Sequence, residues 1–107
     1  MNYNEIFSVD NPALNTIVFS RHEDKLSTNL DQETVILDMT SGTYSQLNTV
    51  GTSIWDMLNQ PVTFANILNK TILLYETSQE ECINDILSFL KDLAENQLIQ
   101  IDNESVT

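Results

Sequence analysis

The stretch LDMTSGTYSQLNTVGTSIWDML, Leu37 to Leu58, opens as a β-hairpin and closes as an amphipathic helix. Its start belongs to a segment, Thr34 to Thr40, in which Val35, Leu37 and Met39 share one face and Asp38 points the other way. Thr40-Ser41-Gly42 turns the chain, with glycine at a place that accepts a positive φ. Thr43 to Leu47 returns as a strand. Asn48 or Thr49 then caps a helix whose Val50, Ile54, Met57 and Leu58 fall at helical spacing. Gly51 sits one turn in, where it costs about 1 kcal/mol against alanine. A glycine there implies that another element comes close. Trp55 reads as a core anchor. Only the Leu47-Asn48 joint separates strand from helix, so the strand is held rigidly against the helical part of the chain.

Working outward, Thr16 to Ser20 and Lys25 to Leu30 read as strands, and Asp31 to Glu33 as a turn. This makes a three-stranded antiparallel meander with Thr43–Leu47 at an edge. Residues 1–22 carry no clear period, are interrupted by Pro12, and form an N-terminal extension. Downstream, Pro61 ends the first helix. Thr63 is a usable N-cap for a second, with Phe64, Ile67, Leu68, Thr71, Leu74 and Tyr75 as its inner stripe. Ser78 and Glu81 form a capping box for a third, in which Ile83, Ile86, Leu87, Leu90, Leu93 and Ala94 keep a steady period. Leu98 to Ile101 alternates as a short final strand, and a polar tail runs from 102 to 107. The expected fold is α+β and winged helix-turn-helix-like: a three-stranded antiparallel sheet followed by three helices, over residues 23–101.

The totals narrow the function. The chain has 107 residues, enough for one domain with a modest core. Sixteen acids against four bases give a formal charge of −12. Winged helices often bind DNA, but phosphate binding needs clustered bases, and Arg21, Lys25, Lys70 and Lys91 are scattered. Nucleic acid is therefore not the expected partner. No apolar run spans a membrane and no secretory signal opens the chain, so a cytoplasmic location is expected. Cys82 is the only cysteine and His22 the only histidine. Neither a nucleophilic triad nor a zinc site can be assembled from them. Acidic neighbours of Cys82, among them Asp85, raise its pKa and quiet it. Two glycines make no phosphate loop. The expectation is a non-catalytic protein without metal or cofactor.

The joined pattern of Leu37, Asp38, Gly42, Tyr44, Leu47, Asn48, Gly51, Ile54, Trp55 and Leu58 resembles the PqqD-like family of peptide-binding domains. These recognise precursors of ribosomally made, post-translationally modified peptides. The resemblance covers about Lys25 to Ile101. Near its end, Gln97 stands where the family commonly has glycine. The combination Y-x-x-L-N with G-x-x-I-W looks most like the discrete B1 proteins of lasso-peptide pathways. The resemblance implies an adaptor that holds a precursor leader and presents it to a leader peptidase and a modifying enzyme such as a cyclase. It also implies that the leader docks as an extra strand beside the third strand, facing the third helix.

On that reading Thr43, Tyr44, Ser45, Gln46 and Leu47 form the edge that binds peptide. Ile83, Ile86, Leu87 and Leu90 are candidates for the wall of the groove, with the pocket expected between Tyr44 or Gln46 and the third helix. Thr43–Leu47 contains no proline and no charge, the usual means of blunting an edge. Proline at Ser45 would block the edge if its N–H faces outward, with Gln46→Pro as the paired control. A monomer or weak dimer is expected. The competing readings are a winged-helix transcriptional regulator and an assembly subunit that pairs its edge with itself.

Overall fold

Along the chain come helix α1 (Tyr3–Ile6), a single 3-10 turn (Leu14–Thr16), and strands β1 (Ile17–Arg21), β2 (Lys25–Leu30), β3 (Glu33–Asp38) and β4 (Thr43–Leu47). Helix α2 (Thr49–Met57), the two-residue strand β5 (Val62–Thr63), helices α3 (Phe64–Tyr75) and α4 (Gln79–Glu95) and strand β6 (Ile99–Asn103) complete the order. This computed structural model describes residues 3–22, 25–75 and 78–103. The α+β, winged-helix-like plan holds: a β2-β3-β4 meander leads into α2, α3 and α4. The domain boundary expected at residue 23, and the tail beyond 103, lie outside the described residues.

Local hydrogen bonding explains the helix starts. Asn48 Oδ1 accepts the Gly51 N–H at 2.8 Å, Thr63 Oγ1 accepts that of Asn66 at 3.2 Å, and Ser78 Oγ accepts that of Glu81 at 3.3 Å. The end of α4 is a Schellman motif. The Leu98 N–H donates to the Leu93 carbonyl at 2.9 Å and the Gln97 N–H to that of Ala94 at 3.0 Å. Gln97 is left-handed there, with φ 59°. Gly42 turns the β3–β4 hairpin at φ 73°.

One hydrophobic cluster joins the meander, the helices and a second sheet, ordered β5-β1-β6. Trp55 is its largest fully buried side chain, and its indole N–H donates to Ser27 Oγ at 3.1 Å. The Arg21 guanidinium lies 4.6 Å from the Trp55 ring and donates to its carbonyl at 2.7 and 3.0 Å, tying β1 to α2. The N-terminal segment is integral to this core through Phe7, Leu14, Ile17 and Phe19.

The structure fixes the direction of one face and corrects another. Val35 and Leu37 do share a face, but it is the outer face of the sheet; Thr34 and Ile36, both fully buried, face the helices. Asp38 can sit on the inner face because it lies at the end of the sheet, where Lys25 reaches it at 3.1 Å. Thr34 Oγ1 is satisfied by Thr52 Oγ1 at 2.9 Å. Leu74, expected inside, is 60% exposed. It lies in the last turn of α3, where Thr71 and Tyr75 take the inward side.

Candidate functional site

Strand β4 ends the β2-β3-β4 sheet, and its far side has no strand neighbour among the described residues. The register shows which groups line that side. Leu30 and Glu33 pair across the two residues Asp31-Gln32, and so tight a loop makes them a hydrogen-bonded pair. Alternation then bonds Thr28 to Val35 and Leu26 to Leu37, and turns Thr34, Ile36 and Asp38 toward β4. Leu47, Ser45 and Thr43 therefore spend their backbone groups on β3. Tyr44 and Gln46 aim their N–H and C=O groups outward. The edge is open at these residues, and the Ser45→Pro test is reversed: Gln46→Pro blocks the edge, while Ser45→Pro breaks the β3–β4 ladder.

Backbone direction and side-chain direction alternate together in a strand. The side chains of Tyr44 and Gln46 lie on the outer face, where Tyr44 is 73% exposed beside Leu37. Thr43, Ser45 and Leu47 point to the helical side. The trough beside the edge is therefore floored by Thr43 and Ser45 and not by Tyr44 or Gln46.

The trough has two hollows. One, of about 230 Å³, is polar: Thr43 and Ser45 face Glu95, Asn96 and Gln97 at the C-terminal end of α4. The other, of about 380 Å³ and just past the end of β4, is mainly apolar: Val50, Gly51 and Ile54 of α2 face Ile86 and Phe89 of α4, with Asp85 also lining it. Gly51 is what lets the two helices approach here. A Cβ on it would lie 3.2 Å from two atoms of the Phe89 ring.

The expected wall residues divide between the two flanks of α4. Ile86 lines the apolar hollow. Ile83 lines a different cavity, with Val9, Leu14, Phe64 and Leu68. Leu87 and Leu90 are buried in the core, Leu90 completely. Phe89 and Asp85 line the hollow although helical periodicity does not single them out, and Val50, from the apolar spacing of α2, lines it too. The close approach implied by Gly51 is the available signal for Phe89, but only a structure names the partner.

Two titratable groups of the site are shifted from their ordinary pKa, in opposite directions. Its cysteine, Cys82, is buried beside the apolar hollow; burial first, and then Asp85, pushes the thiol pKa up, which suppresses the thiolate. Lys25 donates to Asp38, and the backbone N–H groups of Thr40 and Ser41 add to it, so the Asp38 carboxyl is held below its ordinary pKa. Among the described residues no group of three His, Cys, Asp or Glu side chains converges as a metal site would require. No helix among them is long and apolar enough to cross a membrane.

Comparison with known proteins places this geometry. Two solved structures are similar. TbiB1 in complex with the TbiA(beta) leader peptide is 27% identical, with TM-score 0.71 over 76% of this chain and 94% of that one. A lasso peptide synthetase B1 complexed with the leader peptide is 26% identical, with TM-score 0.68 over 77% of this chain and 96% of that one. No curated protein matches. The family model for coenzyme PQQ synthesis protein D matches residues 33–99, from β3 to the start of β6. That span includes the open edge, both hollows and the Schellman end of α4, and the chain belongs to the PqqD family.

Proposed function

We infer that this protein is a non-catalytic adaptor that binds the leader of a ribosomally made precursor peptide as a strand added to β4. It presents that leader to processing enzymes, a lasso-peptide leader peptidase and cyclase in the first instance. The observation that carries this reading is the open edge at Tyr44 and Gln46 beside a partly apolar trough. Both similar solved structures, which are complexes with leader peptides, support it.

The energetics say what the trough must contribute. About four edge hydrogen bonds at about 1 kcal/mol each give about 4 kcal/mol. Ordering a flexible peptide costs about 2–5 kcal/mol, which cancels them. Affinity then depends on side chains entering the hollows, at about 1.5–3 kcal/mol for each well-buried apolar group. The backbone supplies direction and register; the hollows supply selection.

The test is a calorimetric titration with the leader encoded beside this chain's gene. Micromolar or tighter binding is expected, with a negative heat-capacity change. Gln46→Pro should abolish it while leaving the circular dichroism of the free protein intact. Unchanged binding by that variant would rule out strand addition at β4.

A further inference from the structure

The two hollows lie at a spacing that specifies more than a generic strand. Asp85 and Glu95 lie ten residues apart on α4, which is about 15 Å along a helix. Two strand residues that share a face and are four positions apart are separated by about 14 Å. A strand on the β4 edge that drops one side chain into the apolar hollow therefore brings the side chain four positions away over the polar one.

Each end carries an exposed carboxylate, Asp85 at the apolar hollow and Glu95 at the polar one, and the lining around it distinguishes the two. Glu95 lines the polar hollow, with Asn96 beside it and the Thr43 and Ser45 side chains opposite. Asp85, Asp92 and Glu95 are all exposed, and none makes a salt bridge among the described residues. Three of the four bases are engaged elsewhere, and Lys70, on α3, makes no salt bridge with these acids among the described residues. Arg21 is held by Trp55 and Asp56, Lys25 by Asp38, and Lys91 donates to Asn4 at 2.7 Å, on the opposite flank of α4. Asp38, the other acid at the polar hollow, already has its cation. An uncharged guest there would leave Glu95 without a partner, whereas a Lys or Arg side chain can place its stem over the trough and its charge beside the carboxylate.

Resting on the strand-acceptor reading, we propose that the trough selects an extended peptide carrying an apolar side chain for the Val50–Ile86–Phe89 hollow and, four residues away on the same face, a Lys or Arg for the Glu95 hollow. The spacing comes from the helix and strand rises, and the preference for a base from the unpaired carboxylate.

A phage-displayed library of twelve-residue peptides, random at every position, tests this on the full chain, on Glu95→Gln and on Gln46→Pro. Peptides that need an intact edge should be enriched in an apolar residue and a base four positions apart. Made synthetically, they should bind Glu95→Gln about 1.4-fold to fivefold more weakly, the range for an exposed charge pair. Replacing the peptide's base by glutamine should cost as much on the natural chain and nothing further on Glu95→Gln. Edge-dependent peptides without the paired base, or with a base whose replacement costs the same on both proteins, overturn the charge rule and leave strand addition standing. Enrichment that is equal on Gln46→Pro, or no enrichment at all, overturns both.

Discussion

Helix α4 has two apolar flanks, and they meet different neighbours. On the back flank Ile83 meets the N-terminal segment and α3, and Leu87 and Leu90 are buried in the core; the Lys91 ammonium donates to Asn4 at 2.7 Å, and the Tyr3 hydroxyl to the Ala94 carbonyl at 3.4 Å. On the front flank Cys82, Ile86 and Phe89 look toward α2 and the open end of β4 across a cavity. The same kind of residue serves two ends. The back closes the core of a small domain; on the front Cys82 and Ile86 are buried as well, and the half-buried Phe89 ring is what leaves apolar surface at the hollow. What separates them is not the helix sequence but which other segments arrive to cover each flank.

If the back flank is core, Leu90→Ala should cause the largest loss. Truncating a fully buried leucine costs about 2–5 kcal/mol, and urea denaturation should show the midpoint falling with an unchanged slope. A loss under about 1 kcal/mol would mean the flank collapses without penalty, and the contrast between the flanks would fail. On the front, Phe89→Ala should behave in the opposite way. The ring is only half-buried, so its removal should cost less stability than Leu90→Ala. Leader affinity, however, should fall about tenfold, the equivalent of about 1.4 kcal/mol. A variant that unfolds as readily as Leu90→Ala would reclassify Phe89 as core.

The fold is legible in the sequence where the controlling contacts are local. Ser78 and Glu81 announce the start of α4 because a cap is settled within three residues, and the edge position of β4 comes from a meander that runs straight into a helix. It is not legible where contacts come from afar. In α4, Cys82, Ile83, Ile86, Leu87, Phe89 and Leu90 cover so much of the circumference that periodicity names no single inward face. In β3, Val35, Ile36 and Leu37 are all apolar, so alternation does not decide which face meets the helices. The partner strands decide it: Ser27 and Ser45 flank Ile36 under Trp55, while Leu26 and Tyr44 flank Leu37 outside. Strand β5 is two residues long and carries no pattern at all. The segment before β1 buries Phe7 and Leu14 from pieces too short to show a period.

Gln97 sharpens the contrast at the point where both flanks end. It holds the left-handed position of the Schellman motif and also lines the polar hollow. A residue with a Cβ is strained there by about 1–2 kcal/mol, part of which glycine gives back through a more flexible unfolded chain. Gln97→Gly should therefore raise stability by about 0.5–1 kcal/mol, seen as a melting temperature a few degrees higher. Leader affinity should stay within about twofold, because the Gln97 side chain contributes little apolar surface. A large loss of affinity would assign Gln97 a direct contact with the guest.

The smallest effect concerns the one trough acid that has its own cation. Lys25 holds Asp38 at 3.1 Å, and the carboxyl pKa is depressed in the folded state. The unfolded chain then binds a proton more readily than the folded one, so stability rises with pH across the gap between the two values. The contribution is complete above the unfolded carboxylate value, about 3.9, and is lost as pH falls through the lower folded one. Asp38→Asn should flatten this part of the acid-unfolding curve and leave the curve's shape above pH about 5 unchanged. The pair also bears on the hollow beside it. With Asp38 neutralised by Lys25, Glu95 remains as the unanswered charge there, so Lys25→Met should release a second carboxylate and make binding of a base-carrying peptide more sensitive to salt. If Lys25→Met and the natural chain give the same salt dependence, the pair is too well solvated to matter to the guest, and Glu95 alone sets the charge at that end of the trough.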